Sequence, residues 1–138
     1  MLSFADLRAA NLTRCKRWHP GGLADWSLSD WAVALQGEAG EACNVIKKMN
    51  RERDHITGNA AGTDVEQLRR DLAHELADTM IYLDLLAAAA GINLAAAVIE
   101  KFNIVSERVG FPDRLKPSYV PAGGEQEHRE IMREISPD

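Results

Sequence analysis

Apolar side chains recur every three or four residues along most of the chain, a period that predicts amphipathic α-helices. The first helix is predicted at about 4–18, because Ser3 can cap it and Asp6 follows three residues later, where a capping acid helps. The second helix is predicted to begin near Ser29 and to continue to about residue 50.

The second half of the chain continues this helical pattern. The polar stretch 51–62 predicts a loop, and the sequence TDVE at 63–66 then matches a capping box that begins a third helix, which extends to about residue 90. Gly91 ends that helix, and Asn93 can cap a fourth at about 94–109. Because no strand pattern interrupts these elements, the predicted fold is all-α, a bundle of four main helices.

The length and composition of the chain are those of one globular domain. Its 138 residues suit a single domain, and 46% apolar with 27% charged residues is an ordinary balance. We expect 1–112 to form the all-α domain and 113–138 to be a C-terminal tail, whose pattern also allows a short helix near 125–135. The net charge of −5 argues against a nucleic-acid partner.

The cysteines and the apolar stretches bear on location. Cys15 and Cys43 lack paired spacing, which argues against a zinc knuckle and fits a reducing compartment, although the sequence also allows one disulfide between them. The N-terminus lacks the apolar centre of a signal peptide, and the longest apolar stretch, 85–92, is too short to span a bilayer. We therefore expect a cytoplasmic protein without a membrane partner.

Four acidic residues form two pairs with i, i+3 spacing: Glu38 with Glu41 on the second predicted helix, and Glu75 with Asp78 on the third. Residues three apart share a helix face, and one such pair alone is more often a solvated face. Glu75 and Asp78, however, flank the apolar stripe of their helix and point towards a helix seam, where unpaired charge is costly. Carboxylates without His or Cys ligands suit hard cations, so the predicted cofactor is Mg²⁺, with Mn²⁺ as a substitute.

Two glycines alternate with the acids on the second predicted helix. Gly37 and Gly40 each cost about 1 kcal/mol relative to alanine in a helix interior. They indicate that a ligand or a second helix comes close to this backbone, and tight helix packing alone would explain either one.

The order Glu38-x-x-Glu41 and then Glu75-x-x-Asp78 resembles the signature of the MazG-like, all-α nucleoside triphosphate pyrophosphohydrolases. The segments GEAGEACNVIKK, ELADTMIYL and KFNIVSERVGFP agree with this resemblance, which covers about 26–112. The resemblance implies a bundle whose core is completed by dimerisation, and the apolar faces left by only four main helices suit a homodimer or a homotetramer. It also implies Mg²⁺-dependent cleavage of an NTP or dNTP between the α and β phosphates, giving a nucleoside monophosphate and pyrophosphate, in sanitation or control of the nucleotide pool.

The resemblance also assigns roles to individual residues. The four acids match the family's metal positions, and one carboxylate in such enzymes activates the attacking water. Neither the sequence nor the resemblance singles out that acid; we take Glu41 as the base, with Glu38 as a second catalytic residue. Lys101, Asn103 and Arg108 match a K-x-N and a following Arg in a phosphate-contacting segment of the family. The gap between the two acidic pairs is longer than in compact family members, which leaves the branch of the superfamily open.

Three further residues share faces with these acids. Lys48 lies two turns after Glu41 and is either a phosphate contact or a solvated lysine favoured by the helix dipole. Tyr82, one turn beyond Asp78, and Trp31, two turns before the first acid of the second helix, are candidates for contact with the base. Aromatic residues in a small bundle are more often part of the core, so both interpretations stay open here.

Two other functions fit part of the pattern. A non-enzymatic helical interaction module with a structural cation site explains the helices, but it does not explain acids on a helix seam. A carboxylate-bridged redox-metal bundle normally carries Glu-x-x-His motifs, whereas His74 here directly precedes Glu75. The pyrophosphohydrolase hypothesis accounts for the acids, the glycines and the basic residues together.

Overall fold

The computed structural model describes residues 2–117 and is all-helical in that range, as the sequence predicts. Its elements are α1 (Phe4–Trp18), a 3₁₀ turn (Gly22–Asp25), α2 (Leu28–Arg53), α3 (Val65–Ala89) and α4 (Leu94–Arg108). The short helix expected near 125–135 lies outside the described residues. No single helix in 2–117 combines the length and the apolar composition that crossing a membrane requires.

The first two helices begin with the same capping arrangement. The capping box of Ser3 and Asp6 at the start of α1 is confirmed. At the start of α2, the hydroxyl of Ser27 accepts a hydrogen bond from the backbone N–H of Asp30, and the Asp30 carboxylate accepts one from the N–H of Ser27. This reciprocal pair satisfies donors that a helix start leaves without partners, so α2 begins at Leu28, one residue before the predicted position.

The start of α3 differs from the predicted capping box. Asp64 is the cap, and its carboxylate accepts a hydrogen bond of 2.9 Å from the backbone N–H of Glu66. The hydroxyl of Thr63 instead donates to the carbonyl of Ala60, so the interpretation of Thr63 as the capping residue was wrong. The preceding loop is also shorter than predicted, because α2 continues to Arg53.

The described chain forms two compact units, the first ending at Ala90 and the second beginning at Gly91. In the first unit, α2 packs along α3, and α1 packs on α3. The core is centred on three buried residues, one from each helix. They are Cys15, Trp31 and Leu85, surrounded by Leu23, Trp26, Ile81, Tyr82, Leu86 and Ala89.

The apolar stripe predicted along α3 is only partly covered. Leu68 is buried, whereas Val65 is 45% exposed and Leu76 is 55% exposed. Met80, one turn after Leu76, is exposed as well. A row of apolar side chains left in contact with water is a candidate association surface.

Candidate metal centre

Glu38, Glu41 and Glu75 meet where α2 lies against α3. One carboxylate oxygen from each of the three lies within 4.8 Å of the other two. Trp31 lies against Tyr82, with 6.5 Å between ring centroids. Glu38 lies seven residues after Trp31 on α2, whereas Glu75 lies seven residues before Tyr82 on α3. The two helices therefore run antiparallel, and a step of two turns leads from the Trp31–Tyr82 contact to the contact between Glu38 and Glu75. We call Glu38, Glu41 and Glu75 the carboxylate cluster.

Asp78 belongs to the same electrostatic environment, although it is not one of the three closest acids. Burial raises the pKa of Glu38 above its ordinary value of 4.5, and the negative charges of Asp78, Glu41 and Glu75 raise it further. Glu38 and Glu75 are half-buried, whereas Glu41 and Asp78 are exposed. The structure therefore brings the four predicted acids to one place.

No cationic side chain compensates this charge in the described part of the chain. Among residues 2–117, the ion pairs involve other acids, such as Asp84 and Glu66. Two oxygens bound to one Mg²⁺ at about 2.1 Å are at most about 4.2 Å apart, and Ca²⁺ ligands are more widely spaced. Spacing of up to 4.8 Å therefore fits a hard cation after side-chain movements of a few tenths of an ångström.

The glycines of α2 lie on the side of the helix that faces solvent. A Cβ atom added to Gly37 or Gly40 would have no atom within 4 Å. The two glycines line a shallow groove of about 370 Å³ together with Glu41 and Lys47. Close packing among residues 2–117 therefore does not explain either glycine, and Lys47, rather than Lys48, is the lysine that lies along this groove.

Lys48 is exposed, and its backbone carbonyl accepts a hydrogen bond of 2.8 Å from the side-chain amide of Asn59. Asn59 also donates to the carboxylate of Glu52. This pair of bonds ties the loop after α2 to the end of the helix. The role of the Lys48 ammonium group towards phosphate stays a prediction.

Trp31 and Tyr82 belong to an aromatic cluster that also contains His19 and Trp26. Ring centroids are 4.7 Å apart for His19 and Trp26 and 4.7 Å apart for Trp26 and Trp31. Trp31 is 1% exposed and its indole N–H donates to the carbonyl of Leu23, so the structure favours the core interpretation for this residue. Tyr82 is half-buried. Trp26 and His19 follow α1 in the segment before α2, and only the structure shows that their rings pack together beside Trp31.

Lys101, Asn103 and Arg108 lie on α4, in the second unit. Lys101 and Arg108 are exposed. The side-chain amide of Asn103 donates to the carbonyl of Leu115 at 3.0 Å and accepts from its N–H at 2.8 Å, so it holds the segment that follows α4. The roles of these three residues towards a substrate stay predictions.

A buried charge on α3 was not identified from the sequence. Asp84 is 1% exposed, and its carboxylate accepts hydrogen bonds of 2.9 Å from Arg8 Nε and from Asn11 Nδ2. Asn11 also donates to the carbonyl of Ile81. The sequence does contain a feature that could have indicated it, because Asp84 is the single acid in the otherwise apolar stretch 81–90. An acid there is expected to be buried, and a buried acid rarely lacks a partner. We call Arg8, Asn11 and Asp84 the Asp84 network.

Comparison with known proteins adds no family assignment. A scan of protein-family models gave no match to the chain, and a search of curated proteins found none with significant similarity. The chemistry of the site therefore rests on its own geometry. Clustered carboxylates without a cationic partner can bind a hard cation and, through it, an anionic ligand such as a phosphate.

Proposed function

We propose that this chain is a Mg²⁺-dependent nucleoside triphosphate pyrophosphohydrolase, which cleaves between the α and β phosphates. The observation that carries the proposal is the carboxylate cluster, in which acids from two helices lie within 4.8 Å of one another and form no ion pair with a basic residue among 2–117. A Mg²⁺ site of this kind usually completes its coordination with water and substrate phosphates. The resemblance of the surrounding motifs to MazG-like enzymes supports the choice of reaction.

The carboxylates would hold the metal, with Glu38, Glu41 and Glu75 as ligands and Asp78 beside them. Bound Mg²⁺, or Mn²⁺ in its place, would polarise the phosphates and offset their charge. Glu41 is the exposed member of the carboxylate cluster, so its free oxygen is accessible to water, and we assign it as the base that accepts the proton of the attacking water. The half-buried Glu38 would be the second catalytic residue, next to Glu41 in the carboxylate cluster.

Basic and aromatic residues would bind the rest of the nucleotide. The exposed ammonium groups of Lys47 and Lys48 on α2 are suited to phosphate oxygens. Tyr82 follows Asp78 by one turn, so a base that contacts its ring would lie next to the phosphates. The resemblance implies phosphate contacts for Lys101, Asn103 and Arg108, and these roles and a cytoplasmic location stay predictions.

Homo-oligomerisation is part of the proposal. The exposed apolar row of α3, which includes Leu76 and Met80, supports a second copy as the partner that removes this surface from water. Dimer and tetramer both satisfy this argument.

The proposal is tested by incubating the protein with Mg²⁺ and a panel of canonical and modified NTPs and dNTPs, and measuring monophosphate and pyrophosphate. We expect equal amounts of the two products from at least one nucleotide. Glu75→Gln should lower turnover by about 100-fold or more, since loss of even a second-sphere partner of a metal costs up to that factor. Glu66→Gln, a matched change at an exposed position of the same helix, should leave turnover unchanged.

A non-enzymatic interaction module is the second candidate, and the exposed apolar side chains of α3 favour it. The two functions separate in the same assay. A protein that binds Mg²⁺ at the carboxylate cluster and releases no pyrophosphate from any nucleotide would be such a module, and the pyrophosphohydrolase proposal would be wrong. Iron that co-purifies with the protein would instead favour redox chemistry.

A further inference from the structure

One face of α1 connects the buried charge of α3 to the aromatic cluster. Arg8, Asn11 and Cys15 follow one another at helical spacing, and His19 continues the series at the C-cap of α1. Arg8 and Asn11 bind Asp84, and Cys15 lies in the core. The same helix face therefore holds a polar contact at one end and an aromatic contact at the other.

The polar end carries much of the attachment of α1. Asn11 and Cys15 are the only fully buried residues of this helix, and Asn11 donates to Asp84 at 2.9 Å. Hydrogen bonds of a buried carboxylate are directional, whereas apolar contacts tolerate sliding and rotation. The Asp84 network thus sets which turn of α1 lies opposite which turn of α3.

The aromatic end lies beside the carboxylates. The ring centroid of His19 lies 4.7 Å from that of Trp26 and 5.7 Å from that of Trp31. Trp31 in turn contacts Tyr82, which is one turn from Asp78 on α3. Because a helix is a stiff rod with a rise of 1.5 Å per residue, a shift of α1 at Arg8 also moves His19, about 16 Å away.

We infer that Asp84 is a positioning residue, which holds α1 so that the aromatic cluster keeps the Tyr82 ring in place for the base of a nucleotide bound at the carboxylate cluster. The inference rests on the proposed function for the identity of the ligand. It assigns Asp84 no contact with substrate or metal. Its effect is on affinity for the nucleotide, while the carboxylates and their metal stay as they are.

The test compares wild type with Asp84→Asn, which keeps the shape of the side chain and removes its charge. Near-UV circular dichroism reports the packing of Trp26, Trp31 and Tyr82, and steady-state kinetics report KM and kcat. We expect a weaker near-UV signal at a temperature where the protein is fully folded. We also expect a KM for nucleotide raised about tenfold, since loss of base stacking on aromatic rings has that order of magnitude.

Two further measurements separate positioning from simple destabilisation. The kcat and the affinity for Mg²⁺, from a calorimetric titration, should stay within about twofold of wild type, because the carboxylate cluster is untouched. Ser3→Ala removes the cap of the same helix and lowers stability by about the amount typical of a lost cap, without touching Asp84. It should leave both the near-UV signal and KM unchanged.

Arg8→Ala keeps the inference testable if Asp84→Asn does not fold, because it removes the donor to Asp84 at a side chain that is 28% exposed, while Asn11 still donates to the carboxylate. It should raise KM and weaken the near-UV signal in the same direction. If these variants turn over nucleotide with wild-type KM and a wild-type near-UV spectrum, the inference is overturned while the proposed function stands. If wild type itself binds and cleaves no nucleotide, the proposed function is wrong, and the role in base affinity is overturned with it.

Discussion

Replacing Glu38 with glutamine removes one negative charge from the carboxylate cluster and preserves the size of the side chain. In the metal-free protein this charge is repelled by Asp78, Glu41 and Glu75, and no basic residue among 2–117 pairs with it. We therefore expect Glu38→Gln to stabilise the protein in EDTA. The same change removes a ligand, so it should reduce the stabilisation that Mg²⁺ provides.

The distances in the structure set the magnitude. Two unit charges 4.8 Å apart repel by about 0.9 kcal/mol in water and by about 3.5 kcal/mol at an effective dielectric constant of 20. Because Glu41 is exposed and Glu38 is half-buried, the lower limit is appropriate, at about 1 kcal/mol for each pair. Loss of two pairs then raises the free energy of unfolding by about 2 kcal/mol, or the Tm by roughly 5 °C or more for a domain of this size.

Thermal unfolding in EDTA and in a series of Mg²⁺ concentrations measures both effects. Wild type should gain about 2.7 kcal/mol when Mg²⁺ is at 100 times its Kd, whereas Glu38→Gln should gain clearly less at the same concentration. The advantage of Glu38→Gln in EDTA therefore shrinks as Mg²⁺ is added, and the order of stability reverses at this concentration when the variant gains less than about 0.7 kcal/mol. Glu100→Gln, at an exposed position of α4, is the control and should change neither curve.

Two results would refute this reasoning. A lower Tm of Glu38→Gln in EDTA would mean that the Glu38 carboxylate makes a favourable contact that outweighs the repulsion. Identical Mg²⁺ dependence in wild type and variant would mean that the cation is not bound at the carboxylate cluster.

Three further predictions follow from pKa, packing and helix propensity. In EDTA, the free energy of unfolding should rise as the pH falls from 7 towards 4.5. The reason is that the pKa of Glu38 is raised in the folded state, which therefore binds this proton at a higher pH than the unfolded state does. The dependence of the free energy on pH should be weaker in Glu38→Gln and with saturating Mg²⁺. Trp31→Ala should lower the free energy of unfolding in urea by about 3–5 kcal/mol, whereas Trp18→Ala, at a position 59% exposed, should change it by less than about 1 kcal/mol. Gly40→Ala should raise it by about 1 kcal/mol, because a Cβ at that position meets no atom within 4 Å.

Each of these has a clear contrary outcome. A pH slope in EDTA that is equal in wild type and Glu38→Gln would assign the titration to other groups. Equal losses for the two tryptophan changes would contradict the burial of Trp31. A destabilised Gly40→Ala would show that something fills the space beside this glycine in solution, and a second copy is the first partner to test by measuring mass in solution.

The helices and most of their ends could be predicted because the forces that set them are local. Ser3 with Asp6, and Asn93 with the N–H of Ala96, interact across three residues, and such pairs are visible in the sequence. The error at Thr63 is a shift of one residue between neighbours. Thr63 and Asp64 are both good caps, and only the backbone conformation selects between them. The 3₁₀ turn was missed because it has no apolar period.

The candidate site could be predicted only in its parts. The spacing of Glu38 with Glu41, and of Glu75 with Asp78, follows from helix geometry, which makes each pair share a face. Whether the two faces meet depends on the antiparallel register of α2 and α3. That register is set by contacts such as Trp31 with Tyr82, which join residues 51 positions apart in the chain.

The sequence by itself therefore determined the all-helical class, most of the helix ends and the two acidic pairs, because each follows from interactions within a turn or two of the chain. Only the tertiary structure decided that three of the four acids come within 4.8 Å, that Trp31 is core, and that Asp84 is a buried contact of α1. Burial and charge repulsion depend on what surrounds a side chain in space, and those neighbours come from distant parts of the sequence.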